Sequence, residues 1–214
     1  MVREHPRHVR ISSKNPTGVT IVDRPPRRLP GTYLDPKEIE TIFKNYDRKN
    51  LVYPTANKLG RYPNADKYDE QIAVWTDYFN KKFNPNPPLD PDVVKALMGS
   101  ESGFRVDPEE NKKAFGITQI TPETLKIIQN PEGEAKDFIF NKIRQKDLKN
   151  PDVAIPVGVR WIFRKRNKIA NTLNRVPTHE EIILEYKGLS KSTTQFRDAA
   201  LAKYRKLYAA LKKN

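Results

Sequence analysis

Five places in this 214-residue chain carry the signature of a helix start, and they constrain its architecture more tightly than any other feature. Asp35-Pro36, Asp90-Pro91, Thr121-Pro122 and Asn150-Pro151 each set a short oxygen-bearing side chain before a proline. The first residue accepts hydrogen bonds from the orphan N–H groups of a first helical turn, and the proline brings no N–H that needs a partner. Thr178, with Glu181 three residues on, makes a capping box. Behind each start, apolar residues recur at helical spacing. They are Ile39, Ile42, Phe43 and Tyr46; Val93, Val94, Leu97 and Met98; Leu125, Ile127 and Ile128; Val153 to Phe163; and Ile182 to Leu184. Two more helices lack such a start. One runs from Asp69 with Ile72, Trp75, Phe79 and Phe83 on one face; the other spans about 193–212, with Phe196, Ala200, Tyr204, Leu207 and Leu211 on its expected buried side.

Strand signals are few. Phe115 to Ile120 is short and β-branched, bounded by Asn111-Lys112-Lys113 and Thr121-Pro122-Glu123, and reads as a loop or small strand. Residues 130–150 are charged and poorly patterned. No internal repeat is evident. The fold class is therefore mostly α (α+β) with a small β element. Three segments follow. Residues 1–33, rich in Pro, Arg and Ser, read as an extended or disordered arm. Residues 34–68 read as a helical extension packed on the core, because Ile39, Phe43 and Leu51 need burial. Residues 69–214 form the main helical domain.

Composition narrows the function. The chain has no cysteine, which excludes disulfides and thiol catalysis. Its three histidines, His5, His8 and His179, form no HExxH pattern, so a metal site is not expected. Neither a GxGxxG nor a GxxxxGK[ST] loop is present, and no cofactor is expected. Forty Lys and Arg against 26 Asp and Glu give a net charge of +14, which suits polyanionic surroundings: nucleic acid, an anionic membrane, or a cell wall carrying carboxylates and phosphates. Met1 to Pro6 show no apolar h-region, and no run of 18 apolar residues occurs. A cleavable secretory signal and a transmembrane segment are not expected.

Glu101 is the residue that points to chemistry. It lies four residues after Leu97 and three after Met98, on the continuation of an apolar stripe. A carboxylate there is costly unless paired or protonated. An acid in apolar surroundings keeps its proton to higher pH, which suits it to donate one. Gly99, Ser100, Ser102 and Gly103 are small and leave room beside it for a ligand.

Glu101-Ser102-Gly103-Phe104, Gly116-Ile117-Thr118-Gln119-Ile120-Thr121-Pro122, Asn150-Pro151 with Gly158, and Glu185-Tyr186-Lys187-Gly188 together resemble the motifs of the soluble lytic transglycosylase (SLT) family. Those are the E-S-x-F, G-L-M-Q-[IL]-x-P, N-P-x-x-x-x-x-x-G and A-Y-N-x-G patterns of lysozyme-like domains that cleave peptidoglycan. Order and spacing both agree, over about residues 69–210. The resemblance implies a catalytic domain at 69–214 with Glu101 as the single catalytic acid. It implies substrate contacts from Ser102, Gly116, Ile117, Thr118, Gln119 and Tyr186: Ser102 near the scissile bond, Gly116 and Gln119 in the cleft wall, and the Tyr186 hydroxyl near Glu101. Gly116 as an ordinary turn glycine and Tyr186 as plain core are the competing readings. Two positions depart from the pattern. Thr118 stands at the usual Met, losing an apolar contact to the sugar. Glu185 and Lys187 replace the Ala and Asn. If Lys187 points into the cleft, its ammonium favours an ionised acid and opposes proton donation; if it points outward, nothing changes.

The reaction implied is cleavage of the MurNAc–GlcNAc β-1,4 bond with closure of a 1,6-anhydro ring. Most glycosidases use two carboxylates. No second one stands at a motif position, and Asp107 and Glu109 fall in a polar loop. A lysozyme-type muramidase on the same fold is the alternative, and a non-catalytic wall-binding or structural module a second. A nucleic-acid binder, suggested by Lys203, Arg205, Lys206, Lys212 and Lys213, has no recognition motif behind it. The expected partner is the peptidoglycan glycan strand, reached by holin release as a phage endolysin, by virion delivery, or by a secretion or contractile injection carrier that docks residues 1–33.

Overall fold

Among the described residues seven α-helices follow one another, and the starts of five are the caps read above. The computed structural model describes residues 5–8, 19–22, 33–108 and 113–213. Within residues 1–33, strands β1 (His5–His8) and β2 (Val19–Val22) pair antiparallel, with His5 opposite Val22. Leu34–Asn214 form a separate compact unit.

Helix α1 (Pro36–Asn45) opens on Asp35, whose carboxylate accepts from the Glu38 N–H at 3.0 Å while Glu38 accepts from the Asp35 N–H at 2.8 Å. Ile39 is its buried contact with the core. Helix α2 (Asp69–Phe83) buries Ile72, Trp75 and Phe79 and packs along α5. Helix α3 (Pro91–Ser102) starts on Asp90, which accepts from the Asp92 N–H at 2.9 Å. It is buried on all sides from Pro91 to Gly99, between α2 and α7, rather than along one stripe. A helix apolar all round belongs in the centre of a domain. The charge it carries there is paired. The Lys95 ammonium, fully buried, meets Asp66 at 2.5 Å and Asp69 at 2.7 Å, and donates to Thr55 O at 2.9 Å. These bonds fasten the turn-rich segment before α2 to the central helix.

Helix α4 (Pro122–Gln129) is capped by Thr121, which accepts from the Thr124 N–H at 3.1 Å. The 23-residue α5 (Pro151–Leu173) is capped by Asn150 and buries nearly every residue from Val153 to Phe163. Helix α6 (His179–Tyr186) has the capping box of Thr178 and Glu181, and α7 (Thr194–Leu211) lies against α3. At the start of this unit Leu34 is tied to the short strand β3 (Ile139–Phe140), the following Asn141 N–H donating to Leu34 O at 2.7 Å.

Two expectations are corrected. Residues 130–150 are not merely a charged connection: Phe138, Phe140, Ile143 and Leu148 are buried in the core. Their backbone is held by Arg160, fully buried, which donates to Phe138 O at 3.1 Å and Ala135 O at 3.2 Å and pairs with Asp137 at 2.7 Å. Burial pushes this guanidinium down to about 10, although Asp137 supports its charge. Phe196 is the second correction. It is 67% exposed, one turn before α7 reaches its packed face at Leu201 and Tyr204.

Candidate active site

Helix α3 ends immediately after Glu101, and the way it ends sets where that side chain goes. Gly103 turns left-handed (φ 62°) and its N–H closes on Gly99 O at 3.1 Å. Phe104 then folds back against Gly99, where a methyl group would stand 2.9 Å from its ring. Glu101 therefore emerges at the helix terminus, past the buried stretch, with its side chain 16% exposed.

The wall opposite is the Phe115–Ile120 turn. Phe115 and Ile120 exchange both backbone hydrogen bonds, at 2.9 and 3.0 Å, as an isolated antiparallel bridge. This is the small β element expected there. Gly116 sits at φ 72°, and a Cβ would lie 1.9 Å from Leu148 O, so only glycine fits. Ser102, Thr118 and Tyr186 pin this turn in place. The Ser102 hydroxyl, buried at 1% exposure, lies 2.8 Å from Ile117 O. The Thr118 hydroxyl donates to Ala154 O at 3.0 Å. The Tyr186 hydroxyl donates to Thr118 O at 2.7 Å.

Together these elements enclose a cleft of about 180 Å³ lined by Glu101, Ala114, Gln119, Ile120, Thr121, Thr124, Trp161, Tyr186 and Lys187. Its outstanding feature is the contact between Glu101 and Lys187. Lys187 follows α6 in an αR conformation and its ammonium donates directly to Glu101 Oε1. The two side chains are only 14% and 16% exposed. Of the two ways to keep a carboxylate beside the core, paired or protonated, the fold uses pairing, and of the two orientations open to Lys187 it uses the inward one. Glu185, the other departure, faces away: burial pushes its carboxyl up, but hydrogen bonds from Lys168 at 2.6 Å and from Ser190 outweigh that and hold it low. Burial, reinforced by the Glu101 charge, pushes the Tyr186 phenol well above its ordinary value, so the hydroxyl stays a donor.

The residues expected to touch substrate divide into two groups. Gln119 and Tyr186 join Glu101 in the cleft. Ser102, Ile117 and Thr118 are buried behind it, at 1%, 0% and 2% exposure, and Gly116 serves the turn's backbone. Ser102 and Thr118 hydrogen-bond the wall from behind the cleft, and the Tyr186 hydroxyl bonds the turn while lying within reach of the Glu101 charge. Trp161 was not foreseen as a cleft residue. Its place follows from Gly158, three residues earlier on α5, where an added Cβ would come within 2.6 Å of Thr118. Residues three apart share a helix face, so Trp161 also faces the turn. Asp107 is exposed and paired with Lys149 at 2.7 Å, away from the cleft; Glu109 lies outside the described residues. Among the described residues no cluster is placed to hold a metal ion, and no helix is long and apolar enough to cross a membrane.

A family model, that of the transglycosylase SLT domain, matches residues 78–198. The chain belongs to the transglycosylase SLT family. The matched segment begins in α2, ends in α7 and contains every residue lining the cleft; membership of this family carries transglycosylase activity on peptidoglycan. The lysozyme-like, mostly helical architecture agrees with that membership. No curated protein matches the chain significantly.

Proposed function

We propose that this SLT domain cleaves the MurNAc–GlcNAc β-1,4 bond of peptidoglycan as a lyase, with Glu101 as its one general acid and base and residues 69–214 as the catalytic unit. The observation that carries the reading is that Glu101 is the single carboxylate lining the cleft among the described residues. Two-carboxylate hydrolysis needs a second acid about 5–9.5 Å away. With one acid, the substrate supplies the rest. Glu101 protonates the glycosidic oxygen as the C1–O bond breaks. The N-acetyl group of the muramic residue stabilises the positive charge that develops at C1. The ionised Glu101 then takes the proton of the 6-hydroxyl as O6 bonds to C1, closing the 1,6-anhydro ring and restoring the acid without consuming water.

The surroundings serve this sequence. Gln119 turns its amide back to Gly116 O at 2.8 Å, leaving its carbonyl end for a sugar N–H or hydroxyl. Trp161 and Ile120, nearly buried themselves, form the apolar floor of the cleft. Acid–base help of this kind supplies about 10²- to 10⁴-fold in rate. Action is on the wall, in the periplasm or outside the cell. Holin release, virion delivery or specialised export brings the protein there, with the Arg-rich residues 1–33 as a docking segment for the carrier.

The test is mass spectrometry of soluble products from purified peptidoglycan, with the wild type and with Glu101→Gln. The expected products carry 1,6-anhydro ends and fall at least about 10²-fold in the variant. Reducing ends would make the protein a muramidase. Glycan binding with no release of fragments by the wild type would replace the enzyme with a wall-binding module, a reading favoured by the engagement of Glu101 with Lys187.

A further inference from the structure

The Glu101–Lys187 pair poses a chemical problem for proton donation. Glu101 must carry a proton to the glycosidic oxygen, yet its Oε1 is held by an ammonium that is itself only 14% exposed. Among the described residues, Glu101 is the one carboxylate that meets Lys187; the nearby Glu185 is already occupied by Lys168 and Lys165. Pulling Glu101 away would strand a poorly hydrated cation, which is strongly unfavourable. The pair opens at low cost only if another anion arrives to take the lysine.

The substrate of the proposed reaction has such an anion in one chemical form. The muramic residue whose anomeric carbon Glu101 serves bears a 3-O-lactyl group. Where a stem peptide is attached, the lactyl carboxyl is a neutral amide. Where the peptide has been removed, it is a free carboxylate on the same sugar ring as the scissile bond. Other stem-peptide carboxylates begin at the second residue of the peptide, beyond the lactyl amide and off the sugar ring. We propose that Lys187 is a specificity-determining residue that leaves Glu101 to bind the free lactyl carboxylate, so that the enzyme prefers glycan strands stripped of their stem peptides. This rests on the proposed lyase reading and names its substrate class. Exchange of one carboxylate for another keeps Lys187 paired throughout, and it frees Glu101 only when the correct sugar is in place. It also places an amidase-type reaction, which frees the lactyl carboxyl, before this one.

Three substrates of matched chain length test the idea: peptide-bearing glycan, stripped glycan with the free lactyl carboxylate, and stripped glycan whose carboxyl has been converted to its methylamide. The methylamide separates lactyl charge from peptide bulk. The wild type is expected to release anhydro ends from the free carboxylate form about 10- to 100-fold faster, in kcat/KM, than from the methylamide, the effect of one charge-assisted hydrogen bond. Lys187→Asn and Lys187→Gln are expected to bring that ratio near one, and Lys187→Arg to restore part of it. A wild-type ratio near one, or the same ratio in Lys187→Asn, overturns the inference while leaving the lyase reading intact. Absence of anhydro ends from all three substrates sinks the lyase reading and this inference with it. The wild-type ratio needs no variant to fold, and melting temperatures show whether each variant's loss comes from the fold instead.

Discussion

Gly158→Ala puts the packing of the cleft wall under direct test. The new Cβ would lie 2.6 Å from both Cβ and Cγ2 of Thr118 and 2.9 Å from its Oγ1. Thr118 has little freedom to move, because its hydroxyl is tied to Ala154 O at 3.0 Å and its carbonyl to the Tyr186 hydroxyl at 2.7 Å. Overpacking of a rigid neighbour costs about 1–3 kcal/mol, and a clash with the Cβ of a β-branched residue falls at the upper end. Against it stands the gain of about 1 kcal/mol for alanine over glycine inside a helix. The net loss is about 1–2 kcal/mol, and in a chain of this size each kcal/mol moves Tm by about 2–4 °C. Thermal unfolding followed by circular dichroism should therefore show a fall of about 2–8 °C. Gly60→Ala is the control, since no heavy atom lies within 4 Å of its Cβ position and its backbone is not left-handed; it should be neutral or stabilising by about 0.4–1 kcal/mol. Combining Gly158→Ala with Thr118→Ala removes Cγ2 and Oγ1 from the clash, so the pair should be less destabilising than the sum of the two, with a coupling of about 0.5–3 kcal/mol. Because the turn is the wall facing Glu101, glycan cleavage should fall more steeply than stability, by about 10²-fold for a displacement near 1 Å. An unchanged or higher Tm in Gly158→Ala would show that helix propensity outweighs the contact and that the turn is not wedged against α5.

Lys95→Met should destabilise by about 3–5 kcal/mol at pH 8, because it strands the Asp66 and Asp69 carboxylates beside the central helix. Burial pushes Asp69 up to about 6 even with Lys95 opposing, so its protonated form favours the fold at low pH and that contribution is lost as pH rises through about 6. Urea unfolding at pH 5 should accordingly show a smaller penalty than at pH 8, and an equal penalty at both would remove Asp69 from the account. Phe196→Ser should change stability by no more than about 0.5 kcal/mol, as the ring is 67% exposed. Phe138→Ala, fully buried with its ring 5.2 Å from that of Phe79, should cost about 3–5 kcal/mol in the same assay.

What could be read from the sequence was what is local in it. Caps act within a single turn, so Asp35, Asp90, Thr121, Asn150 and Thr178 named their helices without knowledge of the rest. The core of residues 130–150 was illegible because its order is supplied from a distance: Arg160, some 22 residues later, bonds the carbonyls that hold Phe138 and its neighbours. Phe196 misled for the opposite reason. It continues the helical spacing of α7, but the helix has not yet met α3 at that turn. At the cleft, helical spacing pointed to Glu101 and the family resemblance to Gln119 and Tyr186, yet neither could say which side of the Phe115–Ile120 turn each residue faces. A two-residue period flips at every step in extended chain, and the left-handed Gly116 and Gln119 at φ 50° break even that. Thr118 therefore turns toward α5, on the side away from the cleft.

That orientation changes the meaning of the two departures from the family pattern. Thr118 packs its side chain into the notch left by Gly158, and its hydroxyl bonds α5. The substitution is a matter of how tightly the wall is wedged. Lys187 is the departure that reaches the proposed chemistry, since its ammonium lies on the carboxylate proposed to donate the proton. Tyr186 links them: its hydroxyl holds the Thr118 carbonyl and its backbone leads directly into Lys187. Movement of α6 away from the turn would break the first contact and withdraw Lys187 at the same time. Glu101 need not be released by that route, because an exchange of carboxylates at Lys187 leaves the tyrosine bond and the wall intact. The substrate charge, rather than an opening of the fold, is then the simplest trigger for freeing the acid.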